Sequence, residues 1–230
     1  MDGDHKRNRI IPQGFPQVKI CGLTRPDQAV ACVDAGAAAI GLVFYDKSPR
    51  NVSIDTARAI TRVLPQEVSR VGVFVDEPYD VIMQRVAICH LTCVQLHGRE
   101  TPELVMQLKS AGLVVIKSLF LDHNPLLTEA DQFFADAYLA ECGTGPLPGG
   151  NAKVWNYADA GDLGLSSPLI LAGGLSPDNV AEAIQSACPD GVDVSSGVEL
   201  RPGIKDPALV TQFMRTVING KHNQSLRRIF

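Results

Sequence analysis

The sequence predicts an α/β fold, a single-domain (β/α)8 barrel, on three observations. Short β-branched runs alternate with longer stretches of helical periodicity, giving about eight strand-then-helix units of roughly 25 residues each. The strand candidates are nearly all apolar rather than alternating, as parallel strands covered on both faces are. An open doubly wound sheet would carry a glycine-rich fingerprint after its first strand, and Cys21-Gly22-Leu23-Thr24-Arg25 is not one. Right-handed parallel crossovers repeated eight times close a barrel.

In chain order the strands are expected at residues 18–21, 39–44, 70–75, 92–96, 114–118, 137–141, 169–172 and 191–195. The helical stretches between and after them are expected at 26–35, 54–64, 78–88, 102–111, 126–134, 155–162, 177–187 and 207–218. Residues 1–16 are polar and read as a loose tail, 17–220 as the barrel, and 221–230 as a basic, solvated tail.

Composition narrows the function classes. With 230 residues, 45% of them apolar, the chain buries enough surface for a core without disulfide or metal staples. A net charge of −4 argues against a basic nucleic-acid-binding face. The longest apolar or glycine run, Ala35 to Tyr45, is too short to span a bilayer, and the polar start does not read as a signal peptide. A cytoplasmic protein without nucleic-acid or membrane partners is expected. Among six cysteines only Cys89 and Cys93 lie close together, and no second Cys/His pair stands at zinc-ligand distance. Buried thiols, and no metal site, are expected there.

In a (β/α)8 barrel the chemistry sits at the C-terminal strand ends. Strand alternation puts Lys19 and Cys21 on one face of the first strand, with Val18 and Ile20 on the other. An ammonium beside the thiol is expected to lower its pKa from about 8.5 and so make a usable base. The loop after the second strand carries Lys47 and Arg50 around Pro49, and Arg50 suits a bidentate grip on a carboxylate. Gln95 and His97 share a face at the end of the fourth strand. After the seventh, Gly173 and Gly174 allow a close backbone approach and exposed amides for an anion. Ser176 suits a helix N-cap and Pro177 the first helical position. The eighth strand ends Asp193-Val194-Ser195-Ser196-Gly197-Val198-Glu199, with further amides and hydroxyls. Loops seven and eight are where such barrels commonly hold phosphate.

Taken together, Lys19-Ile20-Cys21-Gly22-Leu23-Thr24, Gly41-Leu42-Val43-Phe44-Tyr45, Lys47-Ser48-Pro49-Arg50, Val71-Gly72-Val73-Phe74-Val75, Val94-Gln95-Leu96-His97-Gly98, Leu171-Ala172-Gly173-Gly174-Leu175 and the eighth-strand segment resemble the phosphoribosylanthranilate isomerase family. The resemblance runs from about Val18 to Val217. It implies an intramolecular aldose–ketose isomerase of tryptophan biosynthesis. The substrate would be the small molecule N-(5-phosphoribosyl)anthranilate, converted without any cofactor by an Amadori rearrangement, in a monomer or homodimer. By the same resemblance Cys21 is the general base and Arg50 holds the anthranilate carboxylate. Gly173, Gly174, Ser196 and Gly197, with Ser195 beside them, match the phosphate loops. His97 and Asp193 match polar groups near the sugar, and Lys19 and Gln95 are expected among the substrate-binding residues.

The family's acid is usually an aspartate ending the sixth strand. Here the best register puts Glu141 at that position, after Tyr138-Leu139-Ala140, with a loop from Gly143 to Gly150 and then a divergent aromatic run, Trp155-Asn156-Tyr157. Asp136 competes for the role but lies five residues upstream, about 16 Å along a strand, so only one of the two reaches the catalytic rim. Two alternatives stay open: a histidine-pathway (ProFAR-type) isomerase, opposed by Cys21 and Ser118 where paired aspartates would stand, and a degenerate phosphate-binding barrel without catalysis.

Overall fold

The computed structural model describes residues 14–143, 153–161, 163–220 and 225–230. Eight parallel strands close in sequential order into a barrel: β1 (Gln17–Cys21), β2 (Ala39–Phe44), β3 (Ser69–Phe74), β4 (Cys93–Leu96), β5 (Val114–Phe120), β6 (Ala137–Glu141), β7 (Leu169–Leu171) and β8 (Gly191–Val194). Among the described residues, six α-helices cover it: α1 (Pro26–Asp34), α2 (Ile54–Arg62), α3 (Tyr79–Cys89), α4 (Pro102–Ser110), α5 (Val180–Ala187) and α6 (Pro207–Asn219). The seam closes where β1 pairs with β8, setting Lys19 opposite Asp193.

Alternation along each strand sorts the apolar residues into two cores. Val18, Ile20, Ile40, Leu42, Val94, Leu96, Val115, Leu119, Val192 and Val194 face the helices in the larger core. Ala39, Val71, Cys93, Ile116, Ala137, Leu139, Ile170 and Ala172 fill the barrel interior. Cys89 belongs to the outer core and Cys93 to the inner one, so the sheet separates the two thiols.

Two expected helices shrink to short 3-10 helices, Leu127–Gln132 and Tyr157–Ala160. In the first, the Tyr138 hydroxyl donates to Ala130 O (2.6 Å), the acceptor that Phe134 N–H would use in a continuing helix. Phe134 itself takes a left-handed φ of 52°. Residues 1–13, 144–152, 162 and 221–224 carry parts of both expected tails, the sixth loop and the end of the second expected helix, and these expectations lie outside the described residues.

After β8 the chain adds an unexpected antiparallel hairpin, β9 (Glu199–Arg201) and β10 (Ile204–Lys205). It docks on the loop after β1, where the Thr24 hydroxyl donates to Gly203 O at 2.6 Å.

The solvated reading of 221–230 is corrected for its described part. Arg227 donates from Nε and Nη2 to Asp190 and from Nη1 to Leu165 O, while Gln17 Oε1 accepts from Ile229 N–H at 2.7 Å. Ile229 is buried against the interior core beneath Gly191, where a Cβ would lie 2.8 Å from its Cδ1. A basic segment stays solvated only when it has nothing apolar to bury; here Ile229 covers the N-terminal barrel mouth.

Candidate active site

The inward positions of the strands end, at the C-terminal mouth, in the polar residues anticipated there. Cys21 closes β1 and faces the interior beside Gly41, where a Cβ would sit 2.7 Å from its sulfur. Only glycine leaves room for the thiol at that point. Lys19, one inward step below and fully buried, forms an ion pair with Asp193 at 2.9 Å. Burial alone would lower the lysine pKa, but Asp193 and Cys21 outweigh it and raise it, so the ammonium is kept.

The expected depression of the Cys21 pKa is corrected. Desolvation pushes the thiol up, Lys19 and Lys205 pull it down, Asp193 pushes it up again, and the balance lies above the ordinary cysteine value. The physical reason is that Asp193 already neutralises Lys19, so too little positive charge remains to offset burial.

Glu141 closes β6 and is buried, with Oε2 3.4 Å from His97 Nε2 on β4's end. His97 Nδ1 contacts Ser118 Oγ at 2.6 Å and Gln95 Nε2 at 2.9 Å, so three strands orient one imidazole. Phe120 packs edge-on to that ring and stacks on His123. Asp136 sits at the opposite mouth, where its carboxylate accepts from Val115 N–H (2.9 Å) and pairs with Lys109 (3.0 Å). Of the two carboxyls, Glu141 is therefore the one at the C-terminal mouth.

Arg50 lies over the start of the β1 loop: a Cβ on Gly22 would fall 2.5 Å from its Cδ. Its Nε and Nη2 bind both oxygens of Glu199, at 3.0 and 2.7 Å, which leaves the outer edge of Nη1 and the second Nη2 hydrogen for a ligand carboxylate. A buried guanidinium takes the nearest permanent carboxylate. Lys205 Nζ donates to the same carboxylate at 2.8 Å. Burial would raise the Glu199 pKa, yet the bonds from Arg50 and Lys205 hold it below the ordinary carboxylate range.

Gly173 and Gly174 adopt φ of 87° and 65°, which side chains disfavour. Three successive carbonyls there are bonded: Ala172 O by Trp155 Nε1, Gly173 O by the Tyr157 hydroxyl, and Gly174 O by Asn179 Nδ2, each at 2.9 Å. In a trans peptide the following N–H points opposite to its carbonyl, so the next three N–H groups are directed away from these side chains. Asn179 Oδ1 also accepts from Ser176 N–H, and α5 begins at Val180 rather than at the expected Pro177. Ser195 donates its hydroxyl to Cys21 O (3.1 Å), joining the eighth loop to the first strand. Any side chain at Gly197 would collide with Leu175 O, so the seventh and eighth loops touch directly.

Every sequence-predicted site residue thus borders this mouth or its loops, apart from Asp136. Sequence reasoning missed Glu199 and Lys205, whose signal was a carboxylate and a cation flanking the turn Pro202-Gly203. It also missed Glu100 and the buried Lys117, which pair at 2.9 Å behind His97.

Comparison with known proteins identifies the family. The family model described as N-(5'-phosphoribosyl)anthranilate (PRA) isomerase matches residues 18–216. The N-(5'-phosphoribosyl)anthranilate isomerase of Desulfatibacillum aliphaticivorans is 45% identical over 214 residues, 93% of this chain and 98% of that protein. The crystal structure of phosphoribosyl anthranilate isomerase from Thermotoga maritima superposes with TM-score 0.79 at 36% identity, covering 89% of this chain and 99% of that one. Another such enzyme, in complex with reduced 1-(o-carboxyphenylamino)-1-deoxyribulose 5-phosphate, gives TM-score 0.75 at 34% identity over the same shares. The chain belongs to the N-(5'-phosphoribosyl)anthranilate isomerase family, whose (β/α)8 barrel it adopts.

Proposed function

We propose that the isomerisation of this family runs here between Cys21, as general base, and Glu141, as general acid. Family membership makes the chain an isomerase of tryptophan biosynthesis, and the proposed substrate is N-(5-phosphoribosyl)anthranilate. Glu141 gives its proton to the furanose ring oxygen as the C1–O bond breaks and the anilino nitrogen lone pair forms the iminium. Cys21, as thiolate, then removes the proton from ribose C2; the C2–H pair becomes the C1=C2 bond and the iminium pair returns to nitrogen. The resulting enolamine takes a proton at C1 and gives up its C2 hydroxyl proton, which leaves the neutral ketone.

The observation that carries this reading is the placement of Cys21 and Glu141 on the inward faces of β1 and β6, at the same barrel mouth, with His97 against the carboxyl. Two further groupings support it. The amides of the Gly173 loop and the Ser195-Ser196-Gly197 segment suit a 5′-phosphate. Arg50, through its Nη1 edge, suits the anthranilate carboxylate, and Lys19, Gln95, His97 and Asp193 line the space for the sugar. No cofactor enters these steps. The enzyme is proposed to act in the cytoplasm, as a monomer or as a homodimer; the Thermotoga maritima relative has been described as dimeric. Among the described residues no helix is long and apolar enough to cross a membrane.

The test is rescue of a tryptophan auxotroph lacking this step, together with turnover by the purified chain. Rescue by the unaltered gene but not by Cys21→Ala supports the reading. Rescue by neither, with the protein folded and expressed, leaves a phosphate-binding barrel without catalysis. Full rescue by Cys21→Ala moves the base elsewhere.

A further inference from the structure

Outside the residues assigned above, one cluster joins all three parts of the site. Lys205 is 2% exposed, and its Nζ donates to three acceptors: Glu199 Oε1 at 2.8 Å, Ser195 O at 3.1 Å and Ser195 Oγ at 3.4 Å. Glu199 in turn holds the Nε and Nη2 of Arg50, and its Oε1 also accepts from Gly203 N–H at 3.2 Å. Ser195 passes the connection to Cys21 O. One ammonium therefore touches the carboxylate that fixes Arg50, and the serine that links the eighth loop to β1.

The charges give this connection a purpose. Arg50 and Glu199 alone are a neutral bidentate pair, with little attraction left for an anion. Burial pulls the Lys205 pKa below the ordinary lysine value, while the Glu199 carboxylate at 2.8 Å favours the ammonium; as an ammonium it leaves the buried cluster with one excess positive charge, in surroundings where a charge is poorly screened. Arg50 is then both immobilised and electrostatically unsatisfied, which is what recognition of a substrate carboxylate through Nη1 requires. We propose that Lys205 is a positioning residue of the isomerisation, fixing Arg50 through Glu199 and the Cys21 strand end through Ser195, and keeping the cluster cationic toward the substrate. This rests on the assignment of Arg50 and Cys21 made above. The charged groups bearing on the thiol are Lys19 on β1, Asp193 on β8 and Lys205 on β10; β2 presents only Gly41 beside it, and Arg50 crosses the following residue, Gly22.

The test compares unaltered protein, Lys205→Met, Lys205→Arg, Glu199→Gln and Cys21→Ala. Steady-state kinetics, thermal unfolding and the pH dependence of Cys21 alkylation by iodoacetamide, read by mass spectrometry, are followed for each. Lys205→Met is expected to raise KM by roughly 10- to 100-fold, the range of one lost charge-assisted contact, and to move Cys21 alkylation to higher pH. Lys205→Arg, which keeps the charge, is expected to recover most of the KM. A Lys205→Met variant with lowered melting temperature but KM within about 3-fold, and unshifted alkylation, shows a purely structural lysine and overturns the proposal. If Lys205→Met does not fold, Glu199→Gln reads the same path: KM raised by about 10-fold or more supports the proposal, and unchanged KM overturns it. An active unaltered enzyme with inactive Cys21→Ala keeps the catalytic assignment whichever way Lys205 falls. Full turnover by Cys21→Ala fails that assignment instead.

Discussion

Glu141 Oε2 and His97 Nε2 lie 3.4 Å apart across the barrel mouth, and Ser118 and Gln95 fix the far nitrogen of the same imidazole. The proposed acid is thus oriented by a ring that is itself held from two strands. Glu141→Gln is expected to cut kcat by about 10²- to 10⁴-fold, the usual contribution of a positioned proton donor, while a reduced product analogue still binds. Asp136→Asn, at the other mouth, is expected to leave kcat unchanged. Steady-state kinetics with analogue titration check both; swapped results would exchange the two carboxyls.

The Cys21 thiol gives a pH prediction with a definite sign. Its pKa is raised chiefly by burial, so the thiolate fraction grows as pH rises and the limb of kcat/KM set by this proposed base should ascend through the ordinary cysteine range without levelling. A plateau already at pH 7 would contradict it. Alkylation mapped by mass spectrometry offers an internal control. Cys32 and Cys93, buried and pushed up to about 11 and about 12, should stay unmodified where exposed Cys188 reacts readily.

Lys117 lies on the helix-facing side of β5, fully buried, donating to Glu100 Oε2 (2.9 Å) and to Gly98 O (2.8 Å). Glu100 also accepts from the N–H groups of Gly98 and Asp76, so the pair staples the loop that follows His97. Removing one charge strands the other. Glu100→Gln is expected to cost about 3–5 kcal/mol in denaturant unfolding, and pairing it with Lys117→Met should recover part of that loss. Additive losses in the double variant would argue that the two groups are not coupled.

Removing residues 225–230 strips Ile229 from the interior core and Arg227 from Asp190. Re-exposing one such side chain costs about 2 kcal/mol, or a fall of roughly 4–8 °C in melting temperature for a chain of this size. Turnover below that temperature should not change, because the segment closes the mouth opposite Cys21 and Glu141. Calorimetry and kinetics on the shortened chain decide this.

What the sequence disclosed, and what it withheld, follow from how local each signal is. The apolar strands and the inward parity of Lys19, Cys21, Gln95, His97 and Glu141 are properties of adjacent residues, and the structure retains them. The fork between Arg50 and Glu199 spans most of the chain and depends on a hairpin whose short strands carry no apolar pattern. The raised Cys21 pKa needed the distance from Lys19 to Asp193, which strand alternation does not supply. The segment expected as a helix at 126–134 ends where the Tyr138 hydroxyl, reaching back from the next strand, donates to Ala130 O, a contact that no local pattern announces. Ile229 was hidden because its flanking arginines dominate the local composition, while its burial depends on Gly191 leaving a space.

The division of each strand into an inner and an outer row has a practical corollary. Neighbours such as Ile20 and Cys21, or Ala140 and Glu141, answer to different demands: the first of each pair meets the helices, the second faces the barrel mouth where the ligand is proposed to bind. Laboratory evolution toward heat resistance therefore has a route through Val18, Ile40, Val115 and Val192 that leaves the reaction alone, while selection for new phosphosugars should gather its changes one position away.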